Sequence, residues 1–259
     1  MTITYGLIGY PLSHSFSQRY FTEKFAKEGL DGYSYRNFPI TDIGLLHQLL
    51  EQQPDLCGFN VTIPYKEQIV PLMDEMDAVA EKTGAVNTVK IMRNGKDIRL
   101  KGFNTDVYGF SRSLEEWLTA LNIEFPRQAL VLGTGGASKA VVCALSDFGI
   151  TSHLISRNEN DAIFKTYDQL NADIISAHPL IVNTTPLGMF PNIGECPAIP
   201  YQFLTEKHFL YDLVYNPEET LFMRKGLEEG AFVKNGERML HLQADKAWEI
   251  WKFNDSMIP

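Results

Sequence analysis

The apolar positions of this 259-residue chain switch repeatedly between a period of two and a helical period. Residues 3–8 form a short apolar run closed by Gly9 and Pro11, which predicts a strand and a turn. Residues 16–28 follow at helical spacing, with Tyr20, Phe21 and Phe25 on one face and Gly29 as a C-terminal stop. A second strand is expected at 33–38, then a helix capped by Thr41 or Asp42 and carrying Ile43, Leu46, Leu49 and Leu50. Residues 56–63 read as a third strand. Pro64 ends it, because proline has no amide for the ladder and biases the residue before it away from helix. A helix is then predicted over 65–82, interrupted near Pro71. A hairpin of 85–92 and 97–103 turns at Asn94-Gly95, and 106–121 reads as a long helix.

The alternation starts afresh after residue 103, and that restart places a domain boundary there. The stretch "QALVLGTGGASKAVVCALSDFG" gives an apolar strand, a glycine turn and an amphipathic helix. Ala137, Ala140, Val141, Ala144, Leu145 and Phe148 share one face of it, and Gly149 closes it. Further strands are expected at 153–156, 180–183 and 209–214. The last helix, 238–253, carries Leu240, Ala244, Ala247, Trp248 and Trp251. Strands alternating with helices in this way predict an α/β protein.

Composition narrows the function classes. At 44% hydrophobic and 21% charged residues the chain is expected to be globular, and a net charge of −9 argues against sequence-independent nucleic-acid binding. Cys57, Cys143 and Cys196 lack metal-ligand spacing and fit a reducing cytosol, with Cys57 and Cys143 expected to be buried. The six histidines are scattered, so no metal site is expected. No basic segment leads into a long apolar run at the start, and no stretch approaches the roughly 18 apolar residues of a membrane helix. A cytoplasmic protein is the expectation, with neither nucleic acid nor membrane as partner. Whether it is a monomer or a homodimer is not legible.

Gly133-Thr134-Gly135-Gly136-Ala137-Ser138 follows a strand and opens a helix, the context a dinucleotide fingerprint requires. Gly133 would permit the tight turn and Gly135 the approach of a pyrophosphate to backbone amides. The helix N-terminus adds positive potential. Ser138 stands where the pattern has Gly or Ala. The next strand ends in Ser156 and Arg157, without the acid that would hold a ribose 2′-hydroxyl. An arginine there suits a 2′-phosphate, so NADP is read over NAD. Lys66 and Asp106 also draw notice. A lysine in a first helical turn opposes the helix dipole, whereas Asp106 reads equally well as a helix cap.

In order along the chain, "GYPLSHSFSQRYF", "GFNVTIPYKE", "GAVNTV", "GFNTDVYGF", "VLGTGGASKA", "DLVYNP" and "HLQADKAW" resemble the shikimate dehydrogenases over nearly the whole length. The resemblance implies an N-terminal α/β substrate domain, 1–103 plus 237–259, whose last helix returns to it. It implies a Rossmann-like NADP-binding domain over 104–236. It also implies reversible reduction of 3-dehydroshikimate to shikimate with NADPH, in aromatic amino-acid biosynthesis. Ser15 and Ser17 would hold the substrate carboxylate. Asn60, Thr62, Asn87, Asp106 and Gln243 would bond the ring hydroxyls and the reacting oxygen, with Tyr215 near the substrate. Lys66 and Asp106 would be the catalytic pair. Gly133, Gly135, Gly136, Ala137, Ser138, Ser156, Arg157 and Thr185 would lie on the cofactor, and Gly236 and Met239 on its nicotinamide side.

Departures from the family pattern are Tyr10, where Asn is frequent, Gln18, where Pro is frequent, and the lack of a second arginine between Arg157 and Lys165. Two alternatives stay open: a quinate/shikimate dehydrogenase using NAD, and a non-catalytic dinucleotide-binding sensor.

Overall fold

The computed structural model describes residues 2–12, 16–95, 97–158 and 164–252. The chain forms two compact units, Met1–Thr105 with Ala244–Pro259, and Asp106–Gln243. The first contains β1 (Ile3–Gly9), α1 (Phe16–Lys27), β2 (Tyr33–Pro39), α2 (Leu46–Gln52), β3 (Leu56–Val61), β4 (Glu75–Met76), α3 (Ala78–Thr83), β5 (Thr88–Asn94) and β6 (Asp97–Phe103). Its sheet runs β2-β1-β3-β5-β6-β4. β1 pairs in parallel with β2 and β3, whereas β5 runs antiparallel to β3 and β6. Antiparallel pairing brings the carboxyl end of β3 level with the amino end of β5, so Asn60 faces Thr88 across the ladder.

α4 (Thr105–Ala120) leads into the second unit, with β7 (Gln128–Leu132), α5 (Gly136–Asp147), β8 (Thr151–Ser156), β9 (Lys165–Thr166), α6 (Ala172–Ala177), β10 (Leu180–Asn183), β11 (Phe209–Asp212), α7 (Leu221–Glu228) and β12 (Phe232–Lys234). All of its strand pairs are parallel, in the order β12-β11-β10-β7-β8-β9. Read from β9, that is the doubly wound order 3-2-1-4-5-6, with its reversal between β7 and β10. Every residue of β10 and β11 is buried, as a parallel sheet covered on both faces requires.

α8 (Glu237–Lys252) closes the described chain, and its residues from Ala244 onward belong to the first unit. There Trp248 and Trp251 join Tyr5, Phe21, Phe25 and Tyr35 in one buried aromatic cluster. Trp251 stacks on Tyr5 at 4.7 Å, and Phe21 stacks on Tyr35 at 4.6 Å. Opposite stacked rings and fully buried aliphatics, large apolar area is removed from water on both faces of the sheet.

Of the helix expected over 65–82, only the last turns form, as α3. The chain turns at 66–69, makes one 3-10 turn at Val70–Leu72 around Pro71, and then joins β6. Asp74 accepts from the Leu100 amide at 2.8 Å while its own amide donates back to Leu100 at 2.9 Å, and β4 follows in parallel register. Asp77 then caps α3 by accepting from the Ala80 amide at 2.7 Å. Helical spacing alone could not anticipate this capture by a neighbouring strand. β3 also stops at Val61 instead of residue 63, and Cys57 is only half-buried. The sequence reading omitted β4, β9, β12, α6 and α7, all of them short.

Gly58 shows how tightly the cluster is fitted. A Cβ there would lie 2.5 Å from Trp251 Nε1 and 2.9 Å from the Val89 carbonyl, the two atoms joined by the indole hydrogen bond of 3.0 Å. Gly58→Ala is therefore expected to destabilise the fold by about 2 kcal/mol or more, through overpacking and loss of that bond. Urea unfolding followed by tryptophan fluorescence checks it, and an unchanged midpoint contradicts the packing described.

Candidate functional site

Four of the expected substrate residues gather at one end of the first sheet. Asn60 lies on β3, buried to 6%, and its carboxamide accepts from the Tyr35 phenol at 2.8 Å. Its nitrogen donates to Thr88 Oγ1 at 3.0 Å and to the Asn87 carbonyl at 3.3 Å. Asn87, immediately before β5, uses its carboxamide oxygen to accept the Thr105 amide at 2.7 Å and its nitrogen to donate to Thr105 Oγ1 at 3.0 Å. It thereby caps the start of α4. Thr62 continues past β3, its amide bonded to the Ile8 carbonyl at 2.9 Å. Lys66 is half-buried in the turn that follows, its carbonyl accepting the Val86 amide at 2.8 Å. Ser17, in the first turn of α1, is hydrogen-bonded to Tyr35. Ser15 lies outside the described residues.

The remaining substrate-side residues belong to the second unit. Asp106 is buried in the first turn of α4. Tyr215 follows β11 and is half-buried, as is Gln243 on α8, whose amide nitrogen donates to the Leu240 carbonyl at 3.0 Å.

The glycine turn has the form a nucleotide diphosphate needs. Gly133 has φ +109°, and a Cβ on it would lie 2.8 Å from Thr184 Oγ1 and 3.0 Å from the Thr185 methyl. Only glycine fits that backbone without strain. Gly135 is the N-cap of α5 and has open space above it, while Gly136, Ala137 and Ser138 form the first helical turn. Ser138 turns inward, donating to the Gly135 carbonyl at 2.6 Å, so its hydroxyl tightens the turn without filling the approach. Thr185 abuts Gly133 and bonds Asn183 Oδ1 at 2.7 Å. Ser156 ends β8, Arg157 beyond it is exposed, and the nearby Tyr167 phenol is pushed up to about 12 by burial, against the pull of Arg157. Gly turn, open helix start and exposed arginine fit a dinucleotide carrying a 2′-phosphate. Gly236 and Met239 are buried at the start of α8.

Comparison with known proteins agrees with this arrangement. The family model described as the shikimate dehydrogenase substrate binding domain matches residues 7–89. A protein of Desulforamulus reducens named shikimate dehydrogenase (NADP(+)) is 34% identical over 264 residues, covering 95% of this chain and 88% of that protein. The chain belongs to the shikimate dehydrogenase family. Among solved structures of similar fold, shikimate 5-dehydrogenase from Thermus thermophilus, in complex with NADP(H) and shikimate, has a TM-score of 0.82 at 30% identity. That match covers 100% of this chain and 95% of that one. Quinate dehydrogenase from Corynebacterium glutamicum, in complex with NAD, also has a TM-score of 0.82, at 28% identity and covering 97% and 94%. The fold is thus the two-part α/β architecture of the shikimate dehydrogenases.

Sequence reasoning passed over Tyr35, Thr88, Thr105 and Asp212. The first three complete the buried bonds of Asn60 and Asn87; Thr88 and Thr105 stand inside "GAVNTV" and "GFNTDVYGF", and Tyr35 in no such motif. Asp212 opens the "DLVYNP" stretch of this shikimate dehydrogenase family member. Fully buried, it accepts from Thr220 Oγ1 at 2.6 Å, Asn183 Nδ2 at 2.9 Å and the Val214 amide at 3.0 Å, and so anchors the segment that carries Tyr215. Burial pushes its carboxyl from 3.8 up to about 6, more than its three donors pull it down.

The folded protein therefore holds this proton more tightly than the unfolded chain does. Its stabilising contribution is complete below 3.8 and is lost as pH rises through about 6. Asp212→Asn should abolish that loss. Between about pH 4 and pH 7 the stability of the variant should gain on the wild type by roughly 2–3 kcal/mol. Denaturation at the two pH values measures the gap, and a gap independent of pH refutes the ionisation assigned to Asp212.

Proposed function

We propose that this chain reduces 3-dehydroshikimate to shikimate with NADPH, and catalyses the reverse, as a soluble enzyme of aromatic amino-acid biosynthesis. The observation that carries this reading is the gathering of Asn60, Thr62, Lys66 and Asn87 at one end of the first sheet, in a member of this family. A small polyol carboxylate needs many short hydrogen-bonding partners, and Ser, Thr and Asn supply them at low entropic cost. Among the described residues, no helix is long and apolar enough to cross a membrane, which agrees with this reading.

NADPH, when bound, supplies the hydride. It would be held by the turn at Gly133, Gly135, Gly136, Ala137 and Ser138, with Ser156, Arg157 and Thr185 around its adenosine half and Gly236 and Met239 toward the nicotinamide. Ser15 and Ser17 hold the carboxylate of the substrate, and Asn60, Thr62, Asn87 and Gln243 its hydroxyls, with Tyr215 nearby. As a ketone becomes an alcohol, negative charge develops on its oxygen. The Lys66 ammonium stabilises that charge and then donates the proton, while Asp106 accepts from a ring hydroxyl and orients the reacting groups. In the direction of shikimate oxidation the same lysine takes the proton back.

The competing reading is an NAD-using quinate/shikimate dehydrogenase, favoured by the single arginine after β8. Turnover faster with quinate and NAD⁺ than with shikimate and NADP⁺ would establish it.

Lys66→Ala is expected to lower kcat for shikimate oxidation by roughly 10²–10⁴-fold with the KM for shikimate broadly kept, measured by NADPH absorbance. Turnover left intact removes Lys66 from the chemistry. Arg157→Ala should raise the KM for NADP⁺ by about tenfold and leave that for NAD⁺ unchanged, because only the 2′-phosphate is deprived of a partner. Equal changes for both cofactors would show that Arg157 does not read the 2′-phosphate.

A further inference from the structure

We propose that Tyr35 is a positioning residue: its phenol, set between Ser17 and Asn60, holds the Asn60 carboxamide so that its remaining lone pair is offered to the substrate. The inference deepens the functional reading above and rests on it. Backbone groups decide the directions. The Asn87 carbonyl can only accept, so the Asn60 atom 3.3 Å from it must be the carboxamide nitrogen. Its second hydrogen goes to Thr88 Oγ1 at 3.0 Å, which uses both donors of Asn60. The Asn60 oxygen therefore faces Tyr35, takes the phenol hydrogen at 2.8 Å and keeps one lone pair for a ligand.

Asn87 is set the opposite way. The Thr105 amide can only donate, so the carboxamide oxygen of Asn87 must be the atom 2.7 Å from it. Its nitrogen spends one hydrogen on Thr105 Oγ1 and keeps the other. Asn60 thus presents an acceptor and Asn87 a donor, a pairing that suits a hydroxyl and leaves groups unpaired against an ether or a methylene.

Tyr35 connects this pair to the carboxylate side. Its single hydrogen is committed to Asn60, so the Ser17 hydroxyl must be the donor in the bond they share. A substrate carboxylate would draw the same Ser17 hydrogen to itself, and Asn60 would keep its orientation because Tyr35 still donates to it. The phenol is well suited to this role. It is only 4% exposed, stacked on Phe21, and burial keeps it far above its ordinary pKa, so the direction of its bond does not change with pH.

Tyr35→Phe preserves the stacked ring and removes only the hydroxyl. Steady-state kinetics with shikimate and NADP⁺ should show the KM for shikimate raised about tenfold, the equivalent of roughly 1.4 kcal/mol, with the KM for NADP⁺ unchanged. Ser17→Ala should cost less in the Tyr35→Phe background than in the wild type, as expected when two side chains act through one bond. A KM for shikimate within twofold of wild type overturns the inference. So does a strictly additive double variant, or a parallel rise in both KM values with a lowered melting temperature, which would mark Tyr35 as merely structural. A wild-type protein inactive on shikimate would instead overturn the functional reading, and this inference with it.

Discussion

Two buried carboxamides can be satisfied only if three strands of the first sheet end at the same level. Asn60 on β3 needs Thr88 and the Asn87 carbonyl from the start of β5, and Asn87 needs Thr105, just beyond β6. Buried amides without partners would cost several kcal/mol in total, so the register of β3, β5 and β6 and the start of α4 are tied to one another. Lys66 and Thr62 follow from this, because the turn that carries them leaves the same strand end. The polar cluster that specifies the sheet is also the one proposed to receive the substrate.

The second unit rests on a different constraint. Gly133 occupies backbone space that a side chain would contest with Thr184 and Thr185, so the chain between β7 and α5 can pass close to the end of β10. This is the reversal point of the parallel sheet, where α5 begins. Asp212 holds the following crossover in place at the cost of a buried carboxyl, which is why its proton affinity rises. The glycine turn and the polar cluster are thus built by unrelated means: one by the absence of side chains, the other by their mutual saturation.

Much of this was legible in the residues. Apolar runs closed by Gly or Pro marked β1, β3 and β7, and the glycine turn stood out by its flanks, a strand before it and an amphipathic helix after it. The ordered motifs carried the family and the candidate site residues, including Lys66, Asp106 and Arg157, because each motif joins a backbone requirement to a side chain and both are written locally. The α/β alternation followed from periodicity alone.

What only the tertiary structure decided lies where a distant strand outbids a local preference. Residues 65–82 have a helical spacing, yet Asp74 and Leu100 exchange two hydrogen bonds and draw the chain into β4. Tyr35, Thr88 and Thr105 look like ordinary strand and helix-start residues, and become parts of one hydrogen-bond chain only when β2, β3, β5 and β6 lie side by side. Asp212 is likewise unremarkable in sequence, and its raised proton affinity exists only once β10, β11 and the start of α7 enclose it. Periodicity and turn chemistry act over a few residues and are readable along the chain. Hydrogen-bond saturation and burial act across dozens of residues, so they had to be seen in three dimensions.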